Sequence, residues 1–177
     1  MQPTEETTPE PLAVPVCRHC GSANVMRDAW AVWNITTQAW ELGSAFDHSR
    51  CGDCDAEMKW FEWVDLPTFR NRMIRCLNDQ LRRGAPGPHD MIVATNGVQA
   101  LGPELIARII AVLQLFDRFT DDNDPKGEHD VAAFEVAGHR LFFKIDYYNL
   151  THDGLSSDPA DPAVTARVLT IMLASEY

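Results

Sequence analysis

Hydrophobic and polar positions along the chain repeat with two different periods, and the changes of period mark its elements. Val25-Met26-Arg27-Asp28-Ala29-Trp30-Ala31-Val32-Trp33 is a run of strand formers, Asn34 to Thr37 is turn-like, and Gln38-Ala39-Trp40-Glu41-Leu42 resumes the run, which predicts a hairpin. Glu57 to Val64 predicts a third strand. Leu66-Pro67 then leads into a helical period that stops at Gly84. Wound at about 100° per residue, this segment gathers Phe69, Met73, Ile74, Cys76, Leu77 and Leu81 on one side and Arg72, Arg75, Arg82 and Arg83 on the other, with Arg70 alone intruding on the apolar face.

Beyond the Gly84–Pro88 break, Asn96-Gly97 between Met91–Thr95 and Val98–Leu101 carries the strongest short hairpin signal, so a second hairpin is expected there. Gly102-Pro103 opens a helix from Glu104 to Phe116 with little polar face, expected to be the most buried one. Val131–Val136, an Ala137-Gly138 turn and Arg140–Tyr147 predict another hairpin. Asp161 as N-cap and Pro162 as first helical residue predict a last helix running through Val164, Val168, Leu169 and Met172 towards Tyr177. The expected class is α+β: three short antiparallel strands, then a small antiparallel sheet covered by about three helices.

Composition divides the chain. Residues 1–16 form a proline-rich acidic leader, expected to be disordered; 17–65 hold all five tryptophans; 66–177 form the main domain. The N-terminus carries three glutamates and no Lys or Arg, the reverse of a secretory signal, and no apolar run is long enough to span a bilayer. A cytoplasmic protein without membrane contact is therefore expected. The formal charge is −11, with 4 basic against 11 acidic residues in 1–65, 6 against 4 in 66–117 and 5 against 11 in 118–177. Such a chain repels phosphate at long range and attracts basic protein surfaces.

Charge makes the cysteines the first candidate chemistry, because a reducing compartment turns paired cysteines towards metal rather than disulfides. Cys17-Arg18-His19-Cys20 and Cys51-Gly52-Asp53-Cys54 supply four thiolates from two knuckles, the donor set of one structural, tetrahedral Zn2+. Knuckle, two strands, knuckle, strand resembles a zinc ribbon over residues 17–65. Gly21 and Gly52 suit tight knuckles. His19 and His48 lie close enough in sequence to replace a thiolate. Trp30, Trp33, Trp40, Trp60 and Trp63 are expected to form the small core of this module, since the surrounding Asp28, Glu41, Asp47, Asp53, Asp55, Glu57 and Glu62 have the wrong sign for a nucleic-acid platform. Cys76 reads as a small buried hydrophobe.

The second candidate is the segment 121–130, where Asp121, Asp122, Asp124, Glu128, His129 and Asp130 place five carboxylates and an imidazole within ten residues. That is enough for a hard metal ion or acid–base chemistry. Aligned on an EF-hand it fails, with Lys126 and Ala133 at ligand positions. The alternative is an acidic docking loop in which Asn123, Asp124 and Pro125 turn the chain and Glu128 and Asp130 cap backbone donors or pair with Arg140 or Lys144.

Four blocks in order, TNGVQALG, FTDDNDPKGEHD, FKIDYYN and DPADPAVTARVLTIMLASEY, resemble the bacterial family known as domain of unknown function 3768, over roughly residues 70–177. The resemblance implies an alphaproteobacterial setting, frequently on plasmids or other mobile elements, and carries no assigned activity. Three readings follow. The first is an acidic, zinc-stabilised interaction factor that binds a basic surface on a host protein, in its sharpest form an anti-restriction or anti-CRISPR type inhibitor of host nucleic-acid machinery, such as a nuclease. The second is a nucleic-acid-binding regulator using the ribbon with Arg72, Arg75, Arg82 and Arg83. The third is a metal-dependent enzyme centred on the 121–130 loop, the least favoured of the three.

Overall fold

A computed structural model describes residues 12–177. The chain divides into two compact units whose boundary falls at Phe69/Arg70. Of the leader expected over residues 1–16, residues 1–11 lie outside the described residues. Ala13–Val16 departs from that expectation: it is strand β1, antiparallel to β5 (Glu62–Asp65) with Val14 opposite Val64.

The first unit also holds β2 (Val25–Asn34), β3 (Ala39–Cys51) and β4 (Glu57–Met58) in the order β2-β3-β4. The expected hairpin is present, and β3 runs on to the second knuckle. The expected third strand is split, because Glu57–Met58 pairs with β3 while Glu62–Asp65 turns away to β1. The buried apolar residues described here are few: Val16 and Val64 of the β1–β5 pair, and Cys17, Cys51 and Met58, with Val25 and Phe61 packed against the last three.

The helix expected after Leu66 is α1 (Leu66–Arg82), whose Asp65 carboxylate accepts the Thr68 N–H. The second unit adds β6 (Met91–Ala94), α2 (Asn96–Gln99), α3 (Pro103–Gln114), β7 (Val131–Val136), β8 (His139–Tyr148) and β9 (Ala166–Leu173). One sheet of order β6-β9-β8-β7 results, antiparallel except for the parallel β6–β9 pair. The architecture is thus mixed α+β with three helices and several small sheets. Its core joins Leu81 of α1, Val98 of α2 and Ile109 and Leu113 of α3 to Phe134, Leu141, Phe143, Ile145, Leu169 and Ile171 of the sheet. The β7–β8 hairpin forms as expected, with Ala137 and Gly138 both at positive φ, as a two-residue turn of this hand requires.

Two elements differ in kind from expectation. Asn96-Gly97 opens the short helix α2 instead of turning a hairpin: β6 pairs in parallel with β9, so the chain must cross over rather than fold back. Gly97 is needed for close approach, since its N–H donates to the Glu176 carboxylate and an added Cβ would sit 2.6 Å from Glu176 Oε1. The expected last helix is strand β9. Asp161 does cap a turn, accepting the Ala163 N–H, but the turn ends at Thr165 and the chain becomes the strand between β8 and β6. A central strand needs apolar residues on both faces, which erases the alternation that would have marked it.

The expectation that α3 is the most buried helix is not met: it buries Ile109 and Leu113 and leaves Val112 exposed, whereas α1 buries Ile74, Asn78, Leu81 and Arg82. No helix among the described residues is long and apolar enough to cross a membrane.

Candidate metal centre

Two chain segments of identical hydrogen-bond pattern bring the four cysteines together. In the first knuckle the Cys17 N–H donates to Ser22 O (2.7 Å) and the Gly21 N–H to Cys17 O (2.8 Å); in the second, Cys51 N–H donates to Ala56 O (3.0 Å) and Asp55 N–H to Cys51 O (3.1 Å). Gly21 and Asp55 occupy the same place and both have positive φ. Gly52 serves another purpose than the expected one: a Cβ there would lie 2.4 Å from the Asn24 amide. Asp53 ties the knuckles to each other, accepting from Ser22 Oγ (2.5 Å) and Asn24 Nδ2 (2.8 Å), and those two donors hold its carboxyl below the usual range.

Cys17, Cys20, Cys51 and Cys54 are, among the described residues, the group of potential ligands whose ligand atoms all lie within 4.8 Å of one another. Across the knuckles Cys17 Sγ is 3.7 Å from Cys54 Sγ and Cys20 Sγ 3.6 Å from Cys51 Sγ, and no disulfide joins them. An ion with four sulfurs at about 2.3 Å in a tetrahedron sets them about 3.8 Å apart, so the cluster fits one metal ion. Backbone amides support the sulfurs: His19 N–H and Asp53 N–H approach Cys17 and Cys51 at 3.4 Å, and the Ser22 and Ala56 amides do the same for Cys20 and Cys54.

The amides of Cys54 and Asp53 draw the Cys51 thiol down to about 7. At Cys20 the Ser22 amide pulls the same way but is outweighed by Cys54, burial, Cys51 and Cys17, and the thiol is pushed up to about 12. Crowded sulfurs thus resist a second negative charge, a resistance that a bound cation removes.

The two histidines near the knuckles stand apart from the cluster. His48 lies between Asp28 (3.2 Å) and Glu57 (3.6 Å), and His19 is exposed.

The tryptophans overturn the expectation of a small aromatic core. Trp30, Trp33, Trp40, Trp60 and Trp63 are all at least half exposed. The β2–β3 hairpin reaches beyond the two residues of β4 as a two-stranded arm, so it has no third layer against which to bury them. Trp33 stacks edge-on with Trp40 (5.6 Å) on one face and Trp30 with Phe46 (5.9 Å) on the other. Apolar residues at successive positions, Trp30 to Trp33, were the one sequence signal of a strand exposed or buried on both faces.

The basic face of α1 also changes. Arg72, Arg75 and Arg83 are exposed, but Arg82 is 1% exposed, turned inward to donate to Leu113 O (2.9 Å) and Asp79 Oδ1 (2.8 Å). Its aliphatic stem and delocalised charge let it cap the end of α3 and lie over the Phe119 ring at 5.4 Å. Arg82 is therefore withdrawn from the expected nucleic-acid face, and Arg83 pairs with Asp79 at 3.5 Å. Arg70, the intruder on the apolar stripe, pairs with Asp158. Cys76 is exposed rather than buried.

Within 121–130, Asp121 and Asp122 face solvent, while the buried Asp124 accepts the N–H groups of Glu128 (3.0 Å) and His129 (3.2 Å). His129 stacks on Phe119 at 3.7 Å, its Nδ1 3.0 Å from Asp79 Oδ1 and its Nε2 3.6 Å from Asp124 Oδ2. Asn71 and Asn78 of α1 donate to the carbonyls of Lys126 and Glu128. Asp124 is thus the main cap of the loop, and the ion pair of Lys144 is with Asp146. Burial pushes both Glu128 and Asp130 above the usual carboxylate range.

Residues 94–176 match the family model described as a protein of unknown function, DUF3768. The match begins at the end of β6, so the cysteine unit and α1 lie outside it. No curated protein and no solved structure is similar enough to be matched to the chain.

Proposed function

We propose that the cysteine unit is a zinc ribbon holding one structural Zn2+, and that the chain is an interaction factor offering acidic surface to a basic surface on another protein. The observation that carries this reading is the convergence of four sulfurs at 3.6–3.7 Å across the knuckles. Four thiolates fill a tetrahedral shell and leave no position for a reacting water, so the ion's contribution is to the folding of the unit. Around it, Asp53, Asp55, Glu57 and Glu62 are exposed, within a chain of net charge −11. That field favours a partner that is basic because it handles nucleic acid. The sharpest form of the reading, an inhibitor of host nucleic-acid machinery of anti-restriction or anti-CRISPR type carried on a mobile element, rests on this charge and on the setting implied by the family resemblance.

The test is capture from a host lysate on the immobilised, metal-loaded chain. A nucleic-acid-handling protein retained at low salt and released as salt rises is the expected result; recovery of none contradicts the reading. Direct nucleic-acid binding through the ribbon and Arg72, Arg75 and Arg83 is the competing reading, and the inward turn of Arg82 weakens it. It predicts a gel shift whose affinity falls steeply with salt.

A further inference from the structure

Between Ala29 and Phe46, one face of the β2–β3 arm carries no charge. On β2, Ala31 and Trp33 stand at alternate positions and share a face, and Ala29 lies one register shift further towards the base. Their cross-strand partners on β3 are Leu42, Trp40 and Ala45. The single charged residue between Ala29 and Phe46 is Glu41, which lies on the opposite face and is held there by Asn34 and Thr37. All six residues of the apolar face are exposed, Trp33 by 50%, Trp40 by 70% and Leu42 by 75%.

We propose that this face is the contact between two copies of the chain, packed arm on arm about a two-fold axis. This stands apart from the acidic docking reading, because the face has no charge with which to meet a basic partner. Size and shape select the second copy. The six side chains offer on the order of 600 Å2 when a whole tryptophan is counted at about 250 Å2, the lower end of the roughly 600–1,000 Å2 per partner that specific interfaces bury. Bulk is graded along the face: Trp33 and Trp40 lie towards the tip, and Ala29, Ala31 and Ala45 towards the base. With the arms antiparallel, the tryptophans of each copy fall into the alanine hollow of the other, the self-complementarity that a two-fold contact demands. Left uncovered, an apolar arm with open strand edges invites unlimited association, which a closed pair prevents.

Sedimentation equilibrium of the full metal-loaded chain tests the proposal. The wild type is expected at twice 19.9 kDa. Trp40→Lys should weaken association at least a hundredfold by removing the ring that fills the partner's alanine hollow and burying an unpaired charge there, and Ala31→Arg should do the same by filling the hollow. Glu41→Gln, on the other face, should leave the pair intact. Metal content and far-ultraviolet circular dichroism check that each variant is folded. Raising salt should preserve or tighten the pair, since it screens repulsion between two acidic chains, whereas binding to a basic partner weakens. A wild type that is monomeric at every concentration, or a dimer that both Trp40→Lys and Ala31→Arg leave unchanged, overturns the proposal without touching the acidic docking reading.

Discussion

Asn78 decides how a buried arginine is tolerated. Its Oδ1 accepts from Arg167 Nε at 3.0 Å, while its Nδ2 donates to Glu128 O and to the Tyr147 hydroxyl. Burial lowers the Arg167 pKa and raises that of Tyr147, so both groups depend on these hydrogen bonds. Asn78→Ala leaves a guanidinium nitrogen, a phenol and a carbonyl short of partners at once. Urea denaturation should show a loss of about 2–4 kcal/mol, against a few tenths for an exposed substitution such as Gln80→Ala. Glu128 and Asp130 act in the opposite sense. Burial raises both, so the folded state bears the ionised form at a cost that is fully present above the folded pKa and absent below the unfolded one. Glu128→Gln and Asp130→Asn should therefore raise Tm at neutral pH, with the gain fading as the medium is acidified towards the ordinary carboxylate range. At Asp79 burial also raises the pKa, but Arg82 and His129 outweigh it and the net shift is downward; Asp79→Asn should lower Tm at neutral pH and lose that effect in acid. None of these roles was legible in the sequence. Arg82 read as helix surface and Asn78 drew no reading, because periodicity records which side chains are apolar and not which polar ones are buried with partners supplied from far along the chain.

At the scale of elements, the readable ones are local. The β7–β8 hairpin closes through two adjacent residues, and α1 and α3 declare themselves within one segment each. β9 depends on partners 18 to 32 residues away in β8 and far earlier in β6, and its Val168, Leu169 and Met172 fit a helical stripe equally well. Hydrogen exchange distinguishes the two: backbone amides of Val168–Ile171, paired on both edges, should be among the slowest in the second unit, while those of α2 exchange faster. Equal, fast exchange across both segments would count against a central strand. In α3, Leu113 is 1% exposed and joined to the sheet core, so Leu113→Ala should cost about 2–5 kcal/mol, whereas Leu115→Ala, 82% exposed, should cost little. The tryptophan arm was misread for a related reason. Aromatic residues at successive strand positions predict burial only when something lies on both faces, and a strand pattern does not count the layers around it.

For the whole molecule, the cysteine unit has a small apolar interior, with Val16, Cys17, Cys51, Met58 and Val64 buried and its tryptophans turned outward. A unit of this size with so little core needs a covalent or metal cross-link to hold one structure. Its cysteine cluster was readable because two knuckles of matching spacing leave few alternatives, whereas the arm's exposure and the 1–69 boundary emerge only from tertiary packing. The account therefore turns on the ion. Elemental analysis of the full chain, purified without added metal and compared with Cys51→Ser, is its most direct test. One zinc per wild-type chain, lost in the variant together with the folded signal of the first unit, is the predicted result; a wild-type chain without a stoichiometric metal ion, yet still folded over residues 12–69, would contradict it.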